Sequence, residues 1–136
     1  MGPKNRVFKK EYSKELIHIA ENDLISARTL ASNNEVRRET VLMMVQQCIE
    51  KTLKAVLCAL GLPLPQTHDL LVIIDRLGTE NAPPMSDALD DLTPFATIRR
   101  YEEGRFEILD SDLEIAFDVA ENVLKWARHN YILLGK

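Results

Sequence analysis

Apolar residues along this chain recur at steps of three and four, the period of amphipathic helices. Ile17, Ala20, Leu24, Ala27 and Ala31 trace the first stripe, with Ser13 placed to cap it and Asn33-Asn34 to stop it. A second stripe runs through Val41, Val45, Cys48, Thr52, Ala55, Val56 and Ala59; it ends at Gly61, and Pro63 and Pro65 prevent its continuation. Thr67 is placed to cap a short third helix, with Asp69 in its first turn, Leu70, Leu71, Ile74 and Leu77 as its stripe and Gly78 at its end. Residues 79–85 read as a loop, and Asp87 to Leu92 as one or two helical turns. Thr93-Pro94 resembles an N-cap and first-turn pair, which starts a helix through Phe95, Ile98 and Arg99 that Gly104 ends. The last helix opens on a capping box, Ser111-x-x-Glu114. Its core face is Leu113, Ala116, Phe117, Ala120, Val123, Leu124 and Ala127, with Trp126 beside it.

No segment alternates with period two for long enough to form a strand, and there is no internal repeat. The pattern therefore predicts an all-α fold, an up-and-down antiparallel helical bundle of four to five helices, three of them long. Residues 1–10 form a polar N-terminal arm and residues 11–136 a single bundle domain. At 136 residues the chain is of a size that buries roughly 68% of its unfolded surface, enough for one core without metal or disulfide staples.

Composition narrows the function classes without naming one. A net charge of −4, from 17 basic and 21 acidic residues, carries no global nucleic-acid footprint. Cys48 and Cys58 lie ten residues apart on one predicted helix, about 15 Å along its axis and too far to bridge. Two apolar-flanked thiols without a disulfide framework fit a reducing cytoplasm. Met1 to Lys10 is polar and basic with no apolar run behind it, so no secretory signal is expected, and Arg6 stands where myristoylation needs Ser or Thr. Lys51 and Lys54 interrupt the most hydrophobic region, so no membrane span is expected.

Most catalytic constellations are excluded by the residues themselves. Glycines at 2, 61, 78, 104 and 135 permit neither a P-loop nor a dinucleotide fingerprint, and no Gly-x-Ser-x-Gly elbow occurs. With no Cys-x-x-Cys and no histidines four apart, the common zinc sites are absent. Glu15-x-x-His18 has the spacing of half a di-iron bundle site, but neither His68 nor His129 has a Glu three residues before it. No metal and no cofactor is expected.

Three polar features remain. Gln47, Glu50, Lys51 and Lys54 share one side of the second helix, opposite much of its apolar face, where Glu50 and Lys54 suit an i,i+4 ion pair on a solvated surface. His68 falls in the predicted first turn of the third helix, where the dipole disfavours imidazolium and favours a neutral ring. Arg99-Arg100-Tyr101, with Arg105 nearby, is the densest basic cluster outside the N-terminal arm, although Glu102 and Glu103 dilute its field. Arginine offers a fork for phosphate and tyrosine a ring that stacks on a base; a structural ion-pair cluster is the plainer alternative.

The succession QQCIEKTLKAVLCALGLPLPQTHDLLVIIDRL, IRRYEEGRFEI and AENVLKWARHNY resembles the HEPN domain in its small stand-alone form, from about Leu16 to Tyr131. The resemblance rests on the Glu-Lys-x-x-Lys-Ala piece (Glu50, Lys51, Lys54, Ala55), the Thr-His-Asp-Leu helix start and the Arg-Tyr pair, in the family's order. It implies a helical bundle that commonly dimerises, similar to the substrate-binding domain of kanamycin nucleotidyltransferase. It also implies a minimal nucleotidyltransferase as partner, the two acting as a toxin–antitoxin pair or as two halves of one enzyme, and a nucleotide or nucleotide-like ligand.

Other HEPN proteins are metal-independent ribonucleases that carry an Arg, four to six residues, then a His, often followed by x-Tyr. This sequence departs from that pattern: no Arg precedes a His by the required interval, and Leu124 stands where the nearest Arg before His129-Asn130-Tyr131 would be. An RNA cleavage site needs Arg for the phosphate charge and His for proton transfer. The resemblance therefore favours a non-catalytic nucleotide- or substrate-binding subunit, with a ribonuclease toxin using His68 and Arg100 as the alternative. The expected ligand groove gathers Glu50, Lys54, His68, Arg100 and Tyr101. There Arg100 holds a phosphate, Tyr101 contacts base or sugar, and His68 orients the ligand as a neutral donor.

Overall fold

The computed structural model describes residues 5–90, 104 and 107–132. Its main elements are α1 (Tyr12–Ala31), α2 (Arg38–Ala59), α3 (Leu70–Leu77), α4 (Ser86–Asp90) and α5 (Asp110–Asn130), with a 3-10 turn at Thr79–Asn81. The all-α bundle that the periodicity predicts is what forms. The helix expected through Phe95, Ile98 and Arg99 lies outside the described residues, as does the end of the one expected over Asp87 to Leu92.

Helix ends follow local hydrogen-bond chemistry, and that chemistry shifts several expected caps. Ser13 does not cap α1: it is buried in the first turn, and its hydroxyl donates to the Lys10 carbonyl at 2.7 Å. At α3 the cap is Asp69, whose carboxylate accepts the Leu71 N–H at 3.0 Å, while Thr67 acts one step earlier by accepting the Asp69 N–H at 3.1 Å. At α5 the Leu109 N–H donates to Asp112 at 2.8 Å, so Asp112 takes the role expected of Glu114 and the helix starts one residue before Ser111. The Gly61 stop forms as expected. With φ +76°, Gly61 donates to Cys58 O at 3.0 Å and Leu62 to Leu57 O at 2.9 Å, the two bonds of a Schellman motif.

The core gathers around α2, which packs against α1, α5 and α3. Besides its predicted stripe it buries Leu42, Ile49, Leu53, Leu57 and Cys58, because partners cover it on three sides. Ala20 and Ala27 on α1, and Ala116, Ala120 and Ala127 on α5, are fully buried; their small side chains let helix axes approach closely. Val119 joins them, whereas Leu113, Phe117 and Trp126 pack only at the core's edge. On α3, Leu70, Ile73 and Leu77 are buried while Leu71 is 43% exposed, so the stripe is rotated from the expected one.

Ion pairs fix the helix directions. Glu21 of α1 reaches Arg128 of α5, Asp23 reaches Lys51 of α2 at 3.1 Å, and Arg38 at the start of α2 reaches Asp110 at the start of α5 at 2.8 Å. Helix α1 is thus antiparallel to both α2 and α5, and these two run in the same direction. The long connection between them, carrying α3 and α4, returns the chain to the end where α2 began. At the opposite end, the Tyr131 hydroxyl donates to Asn81 at 2.8 Å and Asn81 donates to the Leu77 carbonyl at 3.2 Å, which ties α5 to the turn after α3.

No strand is predicted, yet β1 (Asn5–Arg6) and β2 (Leu64–Pro65) form a two-residue antiparallel ladder pairing Asn5 with Pro65 and Arg6 with Leu64. Two residues are too few to show period-two alternation. The ladder folds the start of the chain onto the α2–α3 connection, where the Cys58 thiol also donates to the Lys9 carbonyl at 3.2 Å. Among the described residues, no helix is long and apolar enough to cross a membrane.

Candidate functional site

The Gly61 stop and the prolines behind it turn the chain back along α2, which brings His68 over the last turns of that helix. His68 Nδ1 lies 2.8 Å from Glu50 Oε1, and Lys54 Nζ donates to Glu50 Oε2 at 3.1 Å. Glu50 is only 5% exposed and the Lys54 side chain 17%, whereas the His68 side chain is 76% exposed. One buried carboxylate therefore binds a cation on one oxygen and an outward-standing imidazole on the other.

This arrangement corrects the solvated-stripe reading of α2. Glu50 and Lys54 turn toward the entry to α3, while Lys51 turns toward α1, donating to Asp23 at 3.1 Å and to Gln47 at 3.2 Å. The stripe is divided between two interfaces because α1 and the α3 entry flank it. His68 is also displaced from its expected place. It precedes the Asp69 cap rather than standing inside the first turn, and its ring meets Glu50.

The pairing bears on which ring nitrogen carries the proton. An ionised carboxylate only accepts, so Nδ1 is the donor whatever the charge on the ring. In a neutral ring the outward Nε2 is then an acceptor. In that tautomer the neutral ring offers a ligand an acceptor at Nε2, whereas the groove expected from the sequence has His68 as a neutral donor. Of the five expected groove residues, the structure brings Glu50, Lys54 and His68 together. Arg100 and Tyr101 lie outside the described residues, as do Arg99 and Arg105.

Other candidates are accounted for. Burial pushes the Cys48 thiol up to about 12 and raises Cys58 as well, so neither is poised as a nucleophile. His18 sits 3.7 Å from Glu21, and no cluster of three His, Cys, Asp or Glu groups that could hold a metal occurs among the described residues. A cavity of about 450 Å³ opens at the other end of α2, between Asn33, Asn34, Arg37 and Arg38 on one side and Glu107, Asp110 and Leu113 on the other. Sequence reasoning missed it; the Asn-Asn and Arg-Arg pairs around the α1–α2 turn were the available signal. Its cations are already matched: Arg38 binds Asp110 and donates to Ile108 O at 3.2 Å, and Arg37 binds Glu39 at 3.3 Å. A bond from its own backbone N–H, then Arg37 beside it, hold the Glu39 carboxyl below the usual range.

Residues 13–130 match the family model of the HEPN domain. Comparison with curated proteins and with solved structures returned no match. The matched span runs from the first turn of α1 to the last residue of α5 and contains the Glu50–Lys54–His68 cluster. This chain belongs to the HEPN domain family.

Proposed function

We propose that the chain is a cytoplasmic nucleotide- or substrate-binding subunit that acts with a minimal nucleotidyltransferase, in a toxin–antitoxin pair or as half of a two-component enzyme. The observation that carries this reading is the Glu50 carboxylate, buried and joined to both Lys54 and His68. Burying a carboxylate is costly, and an apolar side chain of similar size would fill the same space at lower cost. Its presence under an exposed imidazole supports a polar binding face. Arg100 and Tyr101 supply the phosphate and base contacts in this reading. The absent Arg-x4–6-His interval supports binding over RNA cleavage.

Thermal shift with nucleoside mono-, di- and triphosphates tests the reading. A ligand at one hundred times its dissociation constant stabilises by about 2.7 kcal/mol, a shift of about 10 °C for a domain of this size. At least one nucleotide is expected to produce it, and Arg100→Ala to reduce it. If no nucleotide shifts the wild type, or if Arg100→Ala keeps the full shift, the domain is a protein-interaction module instead. The carboxylate-held imidazole favours one competing reading, a ribonuclease with a non-standard site. RNA cleavage that disappears in His68→Ala would establish that reading in place of the first.

A further inference from the structure

The Asp23–Lys51–Gln47 group and the cations of the α2 N-terminal cavity are committed to internal partners. His68 differs, because its Nδ1 is committed and its Nε2 faces outward on a side chain that is 76% exposed. Among the described residues, the ionisable groups beside it are Glu50 in contact, Lys54 on the far oxygen of the same carboxylate, and Asp69, whose carboxylate is turned onto the Leu71 N–H. Lys54 already meets the other oxygen of the Glu50 carboxylate. A neutral ring with its proton on Nδ1 presents a bare acceptor at Nε2. An acceptor calls for a donor from the ligand. Ionised phosphate oxygens only accept, whereas sugar hydroxyls and base amino groups donate; of these the hydroxyls are common to every ribonucleotide.

We infer that the Glu50–His68 pair is a hydroxyl-recognition point: Glu50 is a positioning residue that holds the His68 proton on Nδ1, and His68 Nε2 accepts a hydrogen bond from a ribose hydroxyl of the bound nucleotide. The inference rests on the nucleotide-binding reading above and adds the part of the nucleotide that meets this corner of the site. The phosphates are held elsewhere, away from the buried carboxylate.

Calorimetric titration of the full chain with ATP and with 2′,3′-dideoxy-ATP at neutral pH tests it. Wild type is expected to bind the dideoxy compound about five- to tenfold more weakly, the value of one hydrogen bond. His68→Phe keeps a ring at an exposed position and leaves Glu50 its Lys54 partner; it is expected to bring the two affinities together. Glu50→Gln tests the Glu50 control of the ring proton. Lys54 only donates, so it takes the amide oxygen and leaves the amide N–H₂ to face His68, which forces the ring proton from Nδ1 to Nε2. Nitrogen-15 spectra of the imidazole are expected to show the Nδ1–H tautomer in wild type and Nε2–H in Glu50→Gln. A wild-type ring protonated on Nε2 alone, or equal wild-type affinities for the two nucleotides, overturns the inference while nucleotide binding stands. Absence of binding by either nucleotide removes both.

Discussion

Glu50 shows how much one buried charge depends on its neighbours. With 5% exposure it is ionisable at a depth where carboxylates are costly, and Lys54 and His68 offset that cost. Glu50→Ala leaves the Lys54 ammonium, itself 17% exposed, without its partner. The expected loss in chemical denaturation is about 2–4 kcal/mol. Replacing both, as Glu50→Leu with Lys54→Met, removes the unpaired charge and is expected to recover most of that loss. A neutral Glu50→Ala would mean that the carboxylate contributes nothing to holding α2 and the α3 entry together. The Glu50–Lys54 pairing was legible in the sequence because i,i+4 spacing is local. The burial was not. It depends on the segment from Gly61 to Asp69 folding back over α2, and nothing in a helical wheel of α2 reports that.

At the scale of elements, α1 and α5 are joined by a repeat of seven. Glu21 pairs with Arg128 and Arg28 with Glu121, while Ala20, Ala27, Ala120 and Ala127 form the buried seam beside them. Charges seven apart on each helix, with opposite signs facing in antiparallel order, set the register as flanking positions do in coiled coils. The side chains of the Arg28–Glu121 pair are half exposed, so its worth is modest, about 0.5 kcal/mol. Arg28 also stands over the Phe117 ring at 4.8 Å, a contact worth about as much again. Arg28→Glu, which sets two carboxylates face to face, is expected to destabilise by about 1–2 kcal/mol. Adding Glu121→Arg is expected to recover the ionic part only, since the ring contact stays lost; full recovery would show that the Phe117 contact contributes nothing. Thermal or denaturant melts of the three variants read this directly. Helix existence and most apolar faces were legible from periodicity, but caps were not. Ser13, Thr67 and Ser111 each stood near a second side chain or carbonyl that bonded better, whereas Gly61 and Gly78, where positive φ leaves little choice, ended their helices where expected.

At the scale of the whole molecule, the short α1–α2 connection made antiparallel packing legible, and the long α2–α5 connection did not determine a direction. The family's commonly paired bundle leads to the remaining expectation, a homodimer. Each long helix presents a large apolar side chain that is more than half exposed, Ile25 on α1 at 61%, Met43 on α2 at 60% and Ile115 on α5 at 53%. Singly these are ordinary. Met43 gains weight from its place, because it shares the α2 stripe of Gln47, Glu50 and Lys54, seven residues before Glu50. A stable two-fold interface buries at least about 1,000 Å² in total, and a two-fold axis beside that stripe would set the two Glu50 clusters near each other across the dimer. Light scattering at micromolar concentration is expected to give twice the 15.5 kDa chain mass. Met43→Glu is expected to shift the population toward monomer without altering the fold, since its side chain contributes little to the core. A wild-type mass of one chain removes the dimer; a dimer indifferent to Met43→Glu places the axis on another face and separates association from the Glu50 cluster.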